Sequence, residues 1–404
     1  MNIGLFTDTF FPHINGVATS TMMLSKELQR LGHKVFIFTT TDPNAKKISP
    51  YVFRLPSVQF FFYKTHRVVL MYPPRLLLKL KKLKLDIVHT HTEFPVGIFG
   101  KVASIYLKIP LVHTYHTMWE EYVRYIFNGH LITPKMAKKL SRILCNRTSA
   151  VVAPVKKAKD SLLEYGVTKP IHVIPTGIDF WPFSREKYTP DDISDTKKEI
   201  GLNLTDPVIC HVGRIGFEKS IDKIVEAMPG LLSKLPDAKL VIVGDGPKRI
   251  ELQELSAELG IKNSVIFTGF RPWSEIGKYY QLADVCAFAS TTETQGLTYV
   301  EAMAAKVLVV AKNDPSIEEL IINGVTGYTY EKDEELPELL FKVLTDRGNN
   351  IDIINAAYES IQYLSSAQYA RNMEALYKEV IHEYQTHKQD KKRPRSGSSQ
   401  EPEL

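Results

Sequence analysis

Short apolar runs recur along the chain, each followed by a polar loop and then by apolar residues at helical spacing. NIGLFT (2–7) is the first run. Its loop DTFFPHINGV leads into a helix near 17–31, with Val17, Met22, Leu24, Leu28 and Leu31 at apolar positions and Gly32 as its stop. KVFIFTT (34–40), LDIVHTH (85–91), PLVHTYH (110–116), SAVVAPV and IHVIPTGID continue the strand series. Strands alternating with helices predict a parallel α/β sheet. Ligands of such sheets collect beyond the carboxyl ends of the strands, where Asp8, His91 and His116 fall.

A second series begins at residue 207. PVICHVGR is a strand ending in Arg214, followed by the helix DKIVEAMPGLLSKL, the strand AKLVIVGDG, the helix IELQELSAEL, then VIFTGF, ADVCAFAS, a helix from about Tyr299, and VLVVAK. The chain therefore divides into an α/β domain over 1–180, a polar, turn-rich linker over 181–206 and a second α/β domain over 207–360. A C-terminal helix over 361–387 is expected to return toward the first domain, and the Pro-, Ser- and charge-rich 388–404 reads as a disordered tail. The 404 residues are too many for one ordinary core, which agrees with two domains.

The opening MNIGLFTDTFFP has no basic leader segment and reads as a strand, and no run of eighteen apolar residues occurs. Cys145, Cys210 and Cys286 are scattered in apolar contexts and read as buried thiols in a reducing compartment. Charge changes the picture more. Residues 1–180 hold 25 Lys and Arg against 10 Asp and Glu, a balance of +15, while the remainder holds 26 against 35, a balance of −9. A strongly basic half next to an acidic one suggests an anionic surface as partner, lipid headgroups or nucleic acid.

The candidate chemistry lies in the loops. Gly16 sits just before a helix, where a glycine lets backbone approach a ligand and helix amides favour an anion; a plain turn glycine fits equally. Arg214 and Lys219 in GRIGFEKS can hold a diphosphate or form a solvated loop pair. In ASTTETQGLTYVEAM, Gly296 opens a helix, Glu293 precedes it and Glu301 lies within it. Each carboxylate can accept two hydroxyl hydrogens of a sugar or ribose, and Glu293 is as readily a helix-entry cap. His116 closes a strand and reads from the residues alone as a core or a site histidine.

PHINGV, TYHT (114–117), IPTGID (174–179), HVGRIGFEKS (211–220), VGDGP (243–247) and TETQGLTYVEAMA (292–304), in this order over about residues 1–325, resemble the GT4 family of retaining glycosyltransferases. The resemblance implies the GT-B fold, two Rossmann-like domains facing a central cleft. It implies that Arg214 and Lys219 bind a donor diphosphate and stabilise the leaving group. It places Glu293 on the transferred sugar, Glu301 on the ribose, and Gly16, Gly296 and Leu297 near the phosphates. His116 would sit near the reacting end of the sugar. Two departures stand out: Gln295 replaces an aromatic common before the glycine, close enough to touch sugar or phosphate, and Lys306 replaces a glycine. Asp8 is assigned no general-base role.

The acceptor domain of this fold is the basic half. Arg75, Lys79, Lys81, Lys82 and Lys84 interleave with leucines, so that 75–85 reads as a short amphipathic helix; 134–147 reads as another, and SVQFFFYK (57–64) adds aromatics. These suit an interfacial element on anionic lipid, or ordinary helices with leucines packed inward. The sequence is similar to the bacterial 1,2-diacylglycerol 3-glucosyltransferases, which implies UDP-glucose as donor, diacylglycerol as acceptor, an α-linked glycolipid as product and a peripheral place at the cytoplasmic face of the membrane. No tightly bound cofactor is expected. No clustered acidic ligand set calls for a metal, and Mg2+ is expected at most as a non-essential stimulant. Another lipid or sugar acceptor or another UDP-sugar remains open within the family. A nucleic-acid-binding role lacks any accompanying RRM, KH or zinc-finger pattern, so no nucleic acid is expected as a partner, and VGDGP lacks the glycine spacing of a dinucleotide fingerprint.

Overall fold

The computed structural model describes residues 1–404 except 13, 14, 44, 46–48, 61, 62, 70, 71, 73, 117–132, 291, 292, 294, 347, 349 and 391–404. It contains two units, residues 1–177 with 366–404, and residues 178–365. The first is built on a parallel sheet of seven described strands: β1 (Asn2–Phe6), β2 (Lys34–Thr40), β3 (Val52–Leu55), β6 (Ile87–Thr90), β7 (Leu111–Thr114), β8 (Ala150–Ala153) and β9 (Ile171–Val173). Their order is β3-β2-β1-β6-β7-β8-β9. A separate antiparallel hairpin, β4 (Ser57–Phe60) with β5 (Tyr63–Val69), was not anticipated from the sequence. The aromatic positions 61 and 62 between its strands lie outside the described residues.

Strands buried on both faces explain the near-continuous apolar runs of the sequence. In β1 and β2, Ile3, Leu5, Val35 and Ile37 point to one face, against Leu24 and Leu28 of the helix Gly16–Arg30. Phe6, Phe36 and Phe38 point to the other, against Phe99 and Ala103 of the helix Pro95–Leu107 and Leu80 of the helix Pro74–Leu83. The long helix Ser366–Asp390 lays Tyr369, Met373, Leu376 and Tyr377 on the first of these faces, beside the helix Gly16–Arg30. It runs three residues beyond the expected end at 387.

The second unit carries six described parallel strands, β10 (Val208–Val212), β11 (Lys239–Val243), β12 (Val265–Gly269), β13 (Val285–Phe288), β14 (Leu308–Lys312) and β15 (Tyr328–Tyr330), in the order β12-β11-β10-β13-β14-β15. Alternate residues again divide between two cores: Ile209, Leu240, Ile242 and Val285 on one face, Cys210, Val241, Val243 and Cys286 on the other. All three cysteines are free and buried.

Residues 181–206, expected as a linker, fold onto this unit. Phe183 is fully buried in its core, and Tyr188 donates its hydroxyl to the carbonyl of Pro182 at 2.8 Å. Thr189 and Asp192 form a capping box at the start of the helix Pro190–Glu199. Lys306, in place of the family's glycine, has φ 56°, the left-handed region that glycine adopts without strain, and its ammonium lies 4.7 Å from the Tyr358 ring centroid.

Candidate active site

Each sheet has one place where successive crossovers turn in opposite directions, between β1 and β6 and between β10 and β13. Such switch points open a crevice at the carboxyl ends of the strands. Asp8 and Gly16 follow β1, His91 follows β6, Arg214 and Lys219 follow β10, and Glu293, Gln295, Gly296, Leu297 and Glu301 follow β13, while His116 follows β7.

In the second unit, the loop after β10 carries Arg214 and Lys219. Lys219 ends a single turn of 3-10 helix, Phe217–Lys219, and Ser220 after it is left-handed with φ 46°. Neighbouring backbone braces the loop: Ile215 N–H donates to Asp245 O at 3.0 Å, Lys248 N–H donates to Ile215 O at 3.2 Å, and the Ser290 hydroxyl donates to Glu218 O at 2.9 Å. Gly244 makes this fit possible. Its φ is +144°, and a Cβ there would stand 1.8 Å from the carbonyl oxygen of Gly213. The glycines of VGDGP thus allow two loops to touch backbone to backbone.

Lys219 Nζ donates to Glu293 Oε1 at 2.6 Å, joining the loop after β10 to the loop after β13. Both side chains are largely buried, the lysine 21% and the glutamate 10% exposed, so each charge depends on the other for solvation. Arg214 is half exposed and reaches Glu218 only at 3.8 Å. Beneath the pair, His211 is buried and bonds through Nδ1 to Ala287 O at 3.0 Å. Burial holds its pKa down to about 4, so it adds no charge at neutral pH.

Gly296 occupies the N-cap of the helix Leu297–Ala304 with φ +62°, and no side chain caps that helix start. Glu293 therefore pairs with Lys219 rather than capping this helix. The helix opens two residues earlier than expected. Glu301, on its second turn, accepts a hydrogen bond from the Tyr280 hydroxyl at 2.8 Å, and burial lifts its carboxyl to about 7 against that bond. Tyr280 itself is fully buried and stacks edge-on against Phe183. Gln295 is partly exposed beside Gly296, while Thr292 and Thr294 lie outside the described residues. No described hydrogen bond joins Glu293 to Glu301: the two acids have separate partners.

In the first unit, Gly16 is the first residue of its helix, whose N-cap Asn15 accepts from Ala18 N–H at 2.8 Å. Gly16 is exposed, and a Cβ there would meet nothing within 4 Å. The fold places no demand for glycine at this position. Asp8 accepts from the Thr92 hydroxyl and from Val96 N–H at 3.1 Å, closing the start of the helix Pro95–Leu107. Burial outweighs these bonds and raises its carboxyl to about 6.

Four histidines from β6, β7 and their ends cluster beside it. His91 Nδ1 and His116 Nε2 are 3.0 Å apart with the rings stacked. His89 bonds to Tyr377 at 2.6 Å and to Thr114 at 2.7 Å, and His113 Nδ1 bonds to Thr90 at 2.9 Å. Burial depresses His116 to about 3 and His89 and His91 well below the ordinary value, so these three imidazoles are neutral. Thr117, after His116, lies outside the described residues. Among the described residues no group of three or more His, Cys, Asp or Glu is arranged to hold a metal, and no helix is long and apolar enough to cross a membrane.

Tyr280, His211 and Ser290 were not singled out from the sequence. His211 and Ser290 fall within the quoted stretches HVGRIGFEKS and ASTTETQGLTYVEAM, whereas Tyr280 comes from the helix Trp273–Gln281 outside them, and all three join the site through contacts between distant elements.

Two parallel-sheet α/β units, each with loops of this kind at its switch point, are the architecture of GT-B glycosyltransferases. Residues 14–180 match the family described as Glycosyltransferase Family 4, and residues 192–360 match Glycosyl transferases group 1. An alpha-monoglucosyldiacylglycerol synthase of Streptococcus pneumoniae is 37% identical over 94% of this chain and 86% of its own length. Its counterpart from Acholeplasma laidlawii is 34% identical over 94% of this chain and 98% of its own. HepE of Anabaena, solved with UDP and glucose, superposes with a TM-score of 0.72 at 20% identity, covering 93% of this chain and 99% of that one. The chain belongs to the GT4 family and is a glycosyltransferase.

Proposed function

We propose that the enzyme moves glucose from UDP-glucose to the free hydroxyl of 1,2-diacylglycerol, giving UDP and α-monoglucosyldiacylglycerol. The observation that carries this reading is the similarity to two alpha-monoglucosyldiacylglycerol synthases over 94% of the chain, which spans acceptor and donor units alike. A solved neighbour with a TM-score of 0.70 holds UDP-glucose, which supports the donor class.

The side chains then divide the work. Lys219 and Arg214 hold the diphosphate and stabilise the charge that develops as the sugar leaves. The Lys219–Glu293 pair sets the ammonium and the carboxylate 2.6 Å apart, so one side can meet phosphate oxygens while the other accepts hydroxyl hydrogens of the hexose. Gln295, Gly296 and Leu297 lie where an uncapped helix start offers amides to the phosphates. Glu301 has one oxygen bonded to Tyr280 and turns the other to the ribose hydroxyls. Gly16 leaves room for the donor at a second helix start, and His116, neutral, hydrogen-bonds the sugar near its anomeric carbon.

In this reading no carboxylate takes the part of a nucleophile. The reaction proceeds on one face of the sugar: the bond to the diphosphate oxygen breaks, the acceptor oxygen bonds to the same face, and the acceptor proton passes to the departing diphosphate. The anomeric configuration is retained. Mg2+ stimulates without being required. A lipid acceptor keeps the enzyme peripheral at the cytoplasmic face of the membrane, with the basic helices Pro74–Leu83 and Pro134–Cys145 adding attraction to anionic lipid.

The test is incubation of the protein with UDP-glucose and liposomes of diacylglycerol and an anionic lipid, with the product identified by mass spectrometry and NMR. An α-linked hexosyl-diacylglycerol is the expected product. UDP release without glycolipid would move the acceptor elsewhere in the family, and absence of turnover across a panel of UDP-sugars would overturn the donor.

A further inference from the structure

Along VHTH (88–91), the end of β6 and the residue after it, His89 and His91 fall on one side of the chain and Thr90 on the other. His113 goes with Thr90: its Nδ1 bonds to the Thr90 hydroxyl, and its Nε2 stands 3.4 Å from Glu93. His116 goes with His91. Its Nε2 is 3.0 Å from His91 Nδ1, and the two rings stack with centroids 5.3 Å apart. The set that contains His91 thus holds the imidazole that meets the sugar in the proposed reaction.

His91 is firmly held. Its backbone N–H donates to Phe6 O at 2.8 Å, which ties it to β1. Its ring lies 4.0 Å from that of His89, which is itself bonded at both nitrogens, to Tyr377 and to Thr114. Burial keeps His91 and His116 neutral, so each carries one ring hydrogen and the bond between them has a direction. The second nitrogen of His91 decides that direction. Nε2 is buried and has no hydrogen-bond partner among the described residues. If His116 donated from its own Nε2, His91 would have to carry its hydrogen on this buried nitrogen, and a buried N–H without an acceptor is the rarer and more costly fault. With the hydrogen on His91 Nδ1, only a lone pair is left at Nε2 and the bond to His116 is made. The bond at one ring nitrogen sets the protonation of the other. His116 then accepts at Nε2 and carries its hydrogen on Nδ1, the nitrogen left for a ligand.

We propose that His91 is a positioning residue for the transfer: it donates from Nδ1 to His116 Nε2 and fixes His116 as the tautomer that presents an N–H, and not a lone pair, to an oxygen of the sugar. A sugar hydroxyl can donate or accept, so an unlocked imidazole would bind it in two ways. The lock leaves one direction and one ring orientation, set before the sugar arrives. This deepens the proposed reaction and rests on its placing of His116 near the sugar.

The experiment joins NMR of the full chain, with histidine isotope-labelled at both ring nitrogens, to the transfer assay. The His116 signals are those lost in His116→Ala. In the wild type Nδ1 should be protonated and Nε2 bare. His91→Asp sets an acceptor opposite His116, so His116 Nε2 should become protonated. His91→Asn sets an amide N–H where Nδ1 stands and should keep the wild-type tautomer. Turnover should follow the tautomer. A fall in kcat of roughly tenfold or more is expected in His91→Asp and His91→Leu, and a return to within about threefold of wild type in His91→Asn. UDP affinity should equal that of the wild type in all three, which reports an intact fold. A wild-type His116 protonated at Nε2, or equal losses of kcat in all three His91 variants, would overturn the inference and make His91 a packing residue. His116→Ala tests the reading beneath it. Undiminished kcat there would take His116 away from the sugar, and the role of His91 in transfer with it, whatever tautomer the spectrum shows.

Discussion

The switch-point loops of the two units handle charge in opposite ways. In the second unit a lysine and a glutamate face each other at 2.6 Å, with an arginine half in solvent nearby. That arrangement can meet an anion. In the first unit three imidazoles are held neutral by burial, and the Asp8 carboxyl is lifted to about 6 and spent on the start of a helix. The contrast fits a division in which one unit binds a diphosphate and the other manages hydroxyl groups, where a fixed charge would cost desolvation and add no recognition.

Removing the cation of the second site should produce the largest effect. Lys219→Ala is expected to lower kcat by roughly 10²–10³-fold, the range for a lost donor on developing negative charge. It also strands Glu293 in a largely buried position, which costs about 3 kcal/mol of stability. The double change Lys219→Ala with Glu293→Gln should recover most of that stability, read by thermal unfolding, and none of the turnover. If stability and turnover recovered together, the pair would be a structural brace and the contrast between the units would lose its chemical basis.

Tyr280 sharpens the comparison at the next level. Its hydroxyl fixes one oxygen of Glu301, so Tyr280→Phe is expected to weaken UDP binding about tenfold, near 1.4 kcal/mol, by calorimetry. Binding of 2′,3′-dideoxy-UDP should change little, because that ligand lacks the hydroxyls Glu301 would hold. Equal losses for both ligands would point to a general disturbance of the helix. The same carboxyl gives a pH signature. Lifted to about 7 by burial, it is charged above that pH and protonated below it. Wild-type affinity for UDP should therefore fall as pH drops from 8 to 6, and the dependence should flatten in Glu301→Gln. For folding the sign is reversed: a carboxyl raised above its unfolded value favours the native state at low pH and loses that contribution as pH rises through 7.

Much of this was legible in the chain because it is local. Apolar runs buried on both faces announce the parallel strands, and after them come Arg214, Lys219 and Glu293 in loops and Glu301 in the helix that follows. What stayed hidden is of two kinds. Tyr280 reaches Glu301 from the helix Trp273–Gln281, and no local spacing encodes that meeting. The helix Pro95–Leu107 was overlooked for a different reason: apolar on both sides and holding a single lysine, it shows no amphipathic period. The neighbouring Pro74–Leu83, with leucines and lysines interleaved, drew attention and then turned those leucines inward. Periodicity locates a helix but not which apolar face finds a partner. Lys306 is a different case: it stands where the resemblance has a glycine, and the structure shows the lysine in the left-handed region with φ 56°.

The smallest expected structural effect tests the division most directly, because it lies in the first unit. Gly16→Ala adds one methyl at the first residue of a helix, where nothing stands within 4 Å and φ is not positive. A turn glycine needed for conformation would be destabilised by that change. Here alanine is the better helix former by up to about 1 kcal/mol and restricts the unfolded chain, so the melting temperature should hold or rise slightly. If the open space at this helix start belongs to the donor, the methyl stands where phosphate oxygens approach the amides, and KM for UDP-glucose should rise several-fold with the fold intact. Unchanged KM would leave donor binding to the second unit alone. A fall in melting temperature would mean that this glycine serves the chain rather than the ligand.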